Sequence, residues 1–234
     1  MMNKPQAQTK YVVATIKSWN HQAFDSFIQE LPGEWMLLKT REELNLERLE
    51  EINPRYIFFP HWSWIVPEAI LNRFECVCFH MTDVPYGRGG SPLQNLIARG
   101  HTSTQLTALR MVNELDAGPV YGKIPFSLEG RAEEIFKRVA TLCYDHIRNI
   151  VEQEPQPVPQ SGEPVCFPRR TPDLSVLPEH GEVEAIYDHI RMLDAEGYPK
   201  AFLDHGDFQL QFSHAELEDG VLSAQVTITR KLKQ

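Results

Sequence analysis

The chain has 234 residues, 42% of them hydrophobic and 24% charged, which is the makeup of an ordinary globular protein able to bury a sizeable core. Its formal net charge of -9 argues against generic electrostatic capture of nucleic acid or of anionic membranes. No apolar run approaches the roughly 20 residues that span a bilayer. The opening MMNKPQAQTK lacks the apolar core of a signal peptide, so a cytoplasmic location with no membrane partner is expected.

In chain order, YVVATI (11–16) reads as a strand, the pattern through Phe24, Phe27 and Ile28 as a helix, and WMLLK (35–39) as a second strand. TREELNLERLEEI follows, with Thr40 and Glu43 at capping-box spacing and Leu44, Leu46, Leu49 and Ile52 on an apolar face. Strand, helix, strand, helix is the signature of a parallel sheet covered by helices. RYIFF (55–59) and CVCF (76–79) add two strands, separated by HWSWIVPEAILNRF. The glycine-rich FHMTDVPYGRGGSP (79–92) reads as a loop shaped for close approach to another group. SPLQNLIARG predicts a helix stopped at Gly100, and QLTALRM (105–111) and PVYGKIPF predict strands on either side of the loop NELDAG. GRAEEIFKRVATLCYDHIRNIVEQ carries the strongest helical pattern, with Ile135, Val139, Leu142 and Ile147 on one face. EPQPVPQSGEP (154–164) reads as an extended connector. Beyond it, 183–193 predicts a helix, and AFLDHGDFQLQFSHAELEDGVLSAQVTITRK alternates like two or three antiparallel strands. The fold expected is α/β: a Rossmann-like, mostly parallel sheet over residues 1–175 and a small β-rich subdomain over 176–234.

Cys76, Cys78, Cys143 and Cys166 show no CxxC spacing, so reduced, mostly buried thiols are expected and no metal site is assigned. Two residues suggest chemistry. His80 stands where a strand gives way to a loop, the place at which open α/β sheets bind ligands. Asp116 follows a later strand in LDAGP, where Gly118 and Pro119 set a tight turn. An imidazole beside a carboxylate is held in one tautomer and poised for proton exchange.

The wider text is specific. His80, Thr82, Pro85, Arg88, Gly89, Pro92, Thr107, Asp116 and Gly118 match, position by position, the motifs of the folate-dependent formyltransferases, which the chain resembles from about residue 55 to about residue 202. PRRTPDLS (168–175) is similar to a segment of the sugar N-formyltransferases, and IRMLDAEGYPKAF (190–202) to one in the family's C-terminal domain. The resemblance implies transfer of a formyl group from 10-formyltetrahydrofolate to an amine. His80 would stabilise a tetrahedral oxyanion and relay a proton, and Asp116 would orient His80. The loop Asn113, Glu114, Leu115, Asp116 and Gly118, with Trp64, Ile65 and Val66, would hold the folate. Thr82, Tyr86, Arg88 and Gly89 would face the acceptor. One position departs from the family: its Asn, two residues before the His, is Cys78 here, a weak donor, and Ser63 or His61 is the candidate substitute.

The short tail with few cations favours an amino sugar acceptor, nucleotide-linked and used for surface glycans, with small-molecule partners, no nucleic acid, and a homodimer left open. The alternatives are a formyltetrahydrofolate hydrolase, a methionyl-tRNA formyltransferase-like enzyme, and a catalytically inactive folate-binding protein.

Overall fold

The computed structural model describes residues 8–231. The expectation drawn from the opening MMNKPQAQTK therefore falls mostly outside the described residues. Two compact units are present. One comprises the chain up to Arg88 with Gln105–Ile124 and Val139–Val165; the other comprises Gly89–Thr104, Pro125–Arg138 and the chain from Cys166 onward.

The main sheet has six strands: β1 (Lys10–Ala14), β2 (Glu34–Leu38), β3 (Tyr56–Phe59), β4 (Cys76–His80), β6 (Ser103–Arg110) and β7 (Val120–Ser127), in the order β2-β1-β3-β4-β6-β7. β1 pairs in parallel with β2 and β3, and β3 with β4. β6 is antiparallel to β4, with Thr107 opposite His80 and Arg110 opposite Val77. Successive residues of a strand point to opposite faces, and here both faces are buried. Tyr11, Val13, Tyr56, Phe58 and Val77 pack with Phe24 of α1 (Ser18–Phe27) and with Tyr144, Ile147, Ile150 and Val151 of α5 (Ala132–Gln153). Val12, Ala14, Ile57, Phe59 and Cys76 pack with Leu49 and Ile52 of α2 (Leu46–Ile52) and Ile70 of α3 (Glu68–Arg73). Burial on both sides is why these strands read as continuous apolar runs rather than alternating ones.

The Thr40–Glu43 reciprocal bonds form, at 3.3 and 3.2 Å, but they close a turn rather than start the helix. α2 begins five residues later than Arg41, capped by the Asn45 side chain accepting from the Arg48 N–H at 2.9 Å. A second good capping residue downstream thus outcompetes the first. Leu46, expected on the buried face, is only partly buried.

The glycine-rich 79–92 segment contains a short strand, β5 (Tyr86–Gly89), which forms a two-stranded sheet with β8 (Val165–Phe167). α4 (Pro92–Ile97) follows, with Pro92 in its first turn and Gly100 at φ 77 just beyond its end. The second unit also holds α6 (Val183–Arg191) and a three-stranded antiparallel sheet of β9 (Ala201–His205), β10 (Phe208–Glu218) and β11 (Val221–Arg230). Its polar centre is Asp194, which is 2% exposed and accepts from Lys200, from the His214 N–H at 2.7 Å and from Arg131 at 3.5 Å. Cys76 and Cys143 are buried, Cys78 is half-buried and Cys166 is exposed. No helix among the described residues is long and apolar enough to cross a membrane.

Candidate active site

β4 ends at His80, whose imidazole is 8% exposed. Its Nε2 lies 2.7 Å from the Gly87 carbonyl, which also accepts from the Thr82 hydroxyl at 3.2 Å. A carbonyl can only accept, so Nε2 carries a proton and the tautomer is set by the backbone. Nδ1 faces the Asp116 carboxylate at 3.6 Å, and both side chains are about nine-tenths buried. The Thr107 hydroxyl donates to the Thr82 carbonyl at 2.7 Å, which ties the segment after His80 to β6.

The route by which Asp116 reaches His80 differs from the sequence expectation. The strand before it is antiparallel, so its carboxyl end lies beside the start of β4, where Met111 N–H donates to the Cys76 carbonyl at 2.8 Å. Arg110 N–H donates to the Pro119 carbonyl at 2.9 Å, closing the base of the 111–118 loop. From that base the loop doubles back along β4 to bring Asp116 to the far end of the strand. Asp116 sits at φ 53, a left-handed conformation that costs a non-glycine residue about 1–3 kcal/mol when surroundings enforce it. Gly118 is required by space: a Cβ there would lie 1.7 Å from the Arg110 carbonyl oxygen.

Cys78 stands two residues before His80 and so projects to the same face of β4. Burial, with the Asp116 charge adding to it, pushes its thiol well above the ordinary range, so it is a neutral S–H beside the carboxylate. His80, Asp116 and Cys78 are therefore brought together. Arg88 lies at the edge of the same loop system: its Nε and Nη2 donate to Gln160 Oε1 at 3.0 and 2.8 Å, and Nη1 reaches Glu114 at 3.2 Å. Asn113 donates to Glu68 at 2.9 Å, which sets the Asp116 loop beside the segment that follows β3.

On that segment Ser63 is exposed, Trp64 is 37% and Ile65 91% exposed, whereas Val66 is buried. Trp62 packs edge-on to Phe59 and to Trp64. His61, at φ 55, lies edge-on to Trp19, and burial together with the nearby Lys17 charge pushes its pKa down, so it is neutral. With Val112 and Leu115 at 40% and 66% exposure, the two loops present apolar groups to solvent. Tyr86 and Gly89 open and close β5; Gly89, at φ 102, has no room for a Cβ, which would lie 2.6 Å from the Phe167 carbonyl oxygen.

Two contributors were not singled out from the sequence. Lys123 of β7 bonds Asp83 at 2.5 Å and the Val84 carbonyl at 2.8 Å, steadying the turn between His80 and β5. Gln160, in the proline-rich connector, carries no motif that would mark it.

Comparison with known proteins bears on this arrangement. Residues 172–229 match the family model for the methionyl-tRNA formyltransferase C-terminal domain. A methionyl-tRNA formyltransferase of Sulfurovum sp. (strain NBC37-1) is 28% identical over 171 residues, covering 70% of this chain and 55% of that protein. The chain thus spans about half the length of the curated relatives it matches. The structure of a methionyl-tRNA formyltransferase from Clostridium thermocellum superposes with a TM-score of 0.93 at 42% identity, covering 95% of this chain and all of that one. HypX from Aquifex aeolicus in complex with tetrahydrofolic acid shares the fold, with a TM-score of 0.75 at 19% identity over 91% of this chain and 38% of its own. A His–Asp pair at the end of a mostly parallel sheet, and a relative 42% identical over its whole length, lead to one assignment: the chain belongs to the formyltransferase family that includes the methionyl-tRNA formyltransferases.

Proposed function

We propose that the protein moves a formyl group from 10-formyltetrahydrofolate to the primary amine of a small acceptor, an amino sugar and in particular a nucleotide-linked one. The observation that carries the transfer reading is the buried His80–Asp116 pair with its tautomer fixed by Gly87. The folate donor, when bound, supplies an electrophilic formyl carbon and a nitrogen leaving group. With Nε2 committed to Gly87, Nδ1 is the basic nitrogen of His80. It takes the proton lost by the attacking amine and returns it to the departing nitrogen. Asp116 faces that same Nδ1 and stabilises the imidazolium formed in between. Cys78, as a neutral thiol, offers a weak hydrogen bond to the formyl oxygen as negative charge builds there. The Asn113–Gly118 loop with Trp64 and Ile65 cradles the donor, Tyr86, Arg88 and Gly89 border the acceptor's approach, and the buried Val66 and Thr82 support these segments from within.

The acceptor class is supported by charge. Residues 176–234 hold eleven acidic and five basic side chains, the wrong balance for a phosphate backbone. PRRTPDLS, similar to a sugar N-formyltransferase segment, points the same way. A second reading, formylation of methionyl-tRNA, is favoured by the names of the relatives at 28% and 42% identity. One assay separates them: tetrahydrofolate release from 10-formyltetrahydrofolate with nucleotide-linked amino sugars, with methionyl-tRNA, and with buffer alone. Release that depends on an amino sugar, with the formylated product seen by mass, is the expected result. Dependence on tRNA gives the second reading, acceptor-independent release a hydrolase, and no release in any arm overturns the transferase proposal.

A further inference from the structure

Gln160 lies in the proline-rich connector, 44 residues beyond Asp116, yet its amide is inserted between the two loops of the site. Nε2 donates to the carbonyls of Asp116 and Gly118, each at 2.8 Å. Oε1 accepts two bonds from Arg88, at 3.0 and 2.8 Å. Both amide hydrogens and both oxygen lone pairs are thereby used, and a flipped amide would place its oxygen against two carbonyl oxygens, so the orientation is determined by its partners. The connector is anchored on either side of Gln160. Val158 exchanges two backbone bonds with Val120, each at 2.8 Å, and Val165 N–H donates to the Pro85 carbonyl at 3.0 Å.

The carbonyls that Gln160 grips flank the turn in which Asp116 is held at φ 53. Fixing the orientation of those peptide groups fixes where the Asp116 side chain leaves the backbone, and thus its approach to His80 Nδ1. Arg88, from the loop that also supplies Gly87, orients the amide in turn. We infer that Gln160 is a positioning residue: acting through the 116–118 backbone, it holds Asp116 at His80, and it couples that loop to Arg88. This inference rests on the formyl-transfer reading for its catalytic consequence, but the restraint on the loop stands on the hydrogen bonds alone.

Gln160→Ala removes the whole clamp. Gln160→Glu keeps the length and the acceptor for Arg88 but removes both donors to the carbonyls. In full-length protein, hydrogen exchange of the amides in 113–118 is expected to rise at least about 10-fold in both variants, while β1 and β3 remain protected. In the transfer assay, kcat is expected to fall by about 10- to 100-fold with the acceptor KM within about 3-fold of wild type, the split produced by a misplaced catalytic pair rather than by lost binding. Gln160→Glu should lower kcat at least as far as Gln160→Ala although it keeps the bonds to Arg88, because its second oxygen meets the two carbonyl oxygens that the amide had bonded, an outcome that anchoring of the connector through Arg88 alone would not produce. Wild-type loop exchange in Gln160→Ala overturns the inference whether or not the enzyme proves active. So does wild-type kcat in a Gln160→Glu variant of an active enzyme. If the wild-type protein shows no transfer at all, it is the functional proposal that fails, and the exchange result alone decides the clamp.

Discussion

Replacing Gly118 by alanine is the sharpest single-atom perturbation of the site. The added Cβ would lie 1.7 Å from the Arg110 carbonyl oxygen and 2.9 Å from its carbon. An ordinary carbon–oxygen contact needs roughly 3.3 Å, so backbone has to move by about 1.5 Å to admit one methyl group. Arg110 resists that movement, because its N–H is bonded to the Pro119 carbonyl and the residue is paired with Val77 of β4. The loop yields instead, and Asp116, two residues away, is carried off the 3.6 Å approach to His80 Nδ1. A displacement of about 1 Å at reacting groups costs on the order of 100-fold in rate, and overpacking of this kind costs about 1–3 kcal/mol of stability. Turnover of 10-formyltetrahydrofolate, read beside the melting temperature, measures both, and calorimetry should show weaker folate binding as the loop shifts. Gly122→Ala is the control: its Cβ would sit 3.5 Å from the His146 ring, an ordinary contact, and activity should stay near wild type. Wild-type turnover in a folded Gly118→Ala protein would refute the reasoning, since it would mean that the loop geometry does not govern the chemistry.

Three further outcomes are expected. His80→Ala and Asp116→Ala should each lower kcat by about 100- to 10,000-fold while circular dichroism and melting temperature show a folded protein; unchanged turnover in either would remove the pair from the mechanism. Cys78→Asn should raise kcat, by up to about 100-fold, because an amide donates where the thiol barely does. Ser63→Ala is measured beside Cys78→Ala, since a loss in the first with none in the second would assign the missing hydrogen bond to the exposed Ser63 instead. Asp194→Ala, which leaves Lys200 and Arg131 without their shared carboxylate, should destabilise by about 3–5 kcal/mol in denaturant melts. Burial alone would raise the Asp194 carboxyl, but the bonds from Lys200 and His214 N–H and the Arg131 charge outweigh it and hold its pKa below that of an ordinary aspartate. Its stabilisation is thus complete above about pH 4 and is lost as pH falls through the lowered native value, so the gap between wild type and Asp194→Asn should close only in acid.

Much of this architecture is legible in the residues themselves. β1, β3 and β4 announce themselves as short apolar runs because both faces of the sheet are covered, and α5 is plain from its periodicity. His80, Asp116 and Gly118 are marked by their motif and by the turn chemistry around them. The direction of β6 is not legible: QLTALRM pairs equally well either way, and only the β4 register reveals that the Asp116 loop has to double back. The start of α2 is misplaced because Thr40 and Asn45 are both competent caps, and local pattern does not rank them. Arg88 reads from the sequence as a cation near the acceptor, and its bonds to Gln160 and Glu114 are a second role that the sequence does not show. The Gln160 contact spans 72 residues, and its second partner is one of two glutamines among prolines, Gln156 and Gln160, which local pattern cannot tell apart.

The interlocking of β4, the 111–118 loop and the connector has a consequence for how the protein responds to its ligands. Each join is made between segments distant in the chain: His80 with Asp116, Arg88 with Gln160, Val120 with Val158. None can persist in an unfolded or half-assembled chain, because the loop-closure entropy is repaid only when the whole set forms. A molecule that lodges against these loops therefore binds the native state and nothing else. At 100 times its dissociation constant such a molecule adds about 2.7 kcal/mol to the folding free energy. Abundance of the protein in a cell would then track the supply of such a molecule: chains made in its absence are more often caught open by proteases, and chains made in its presence endure.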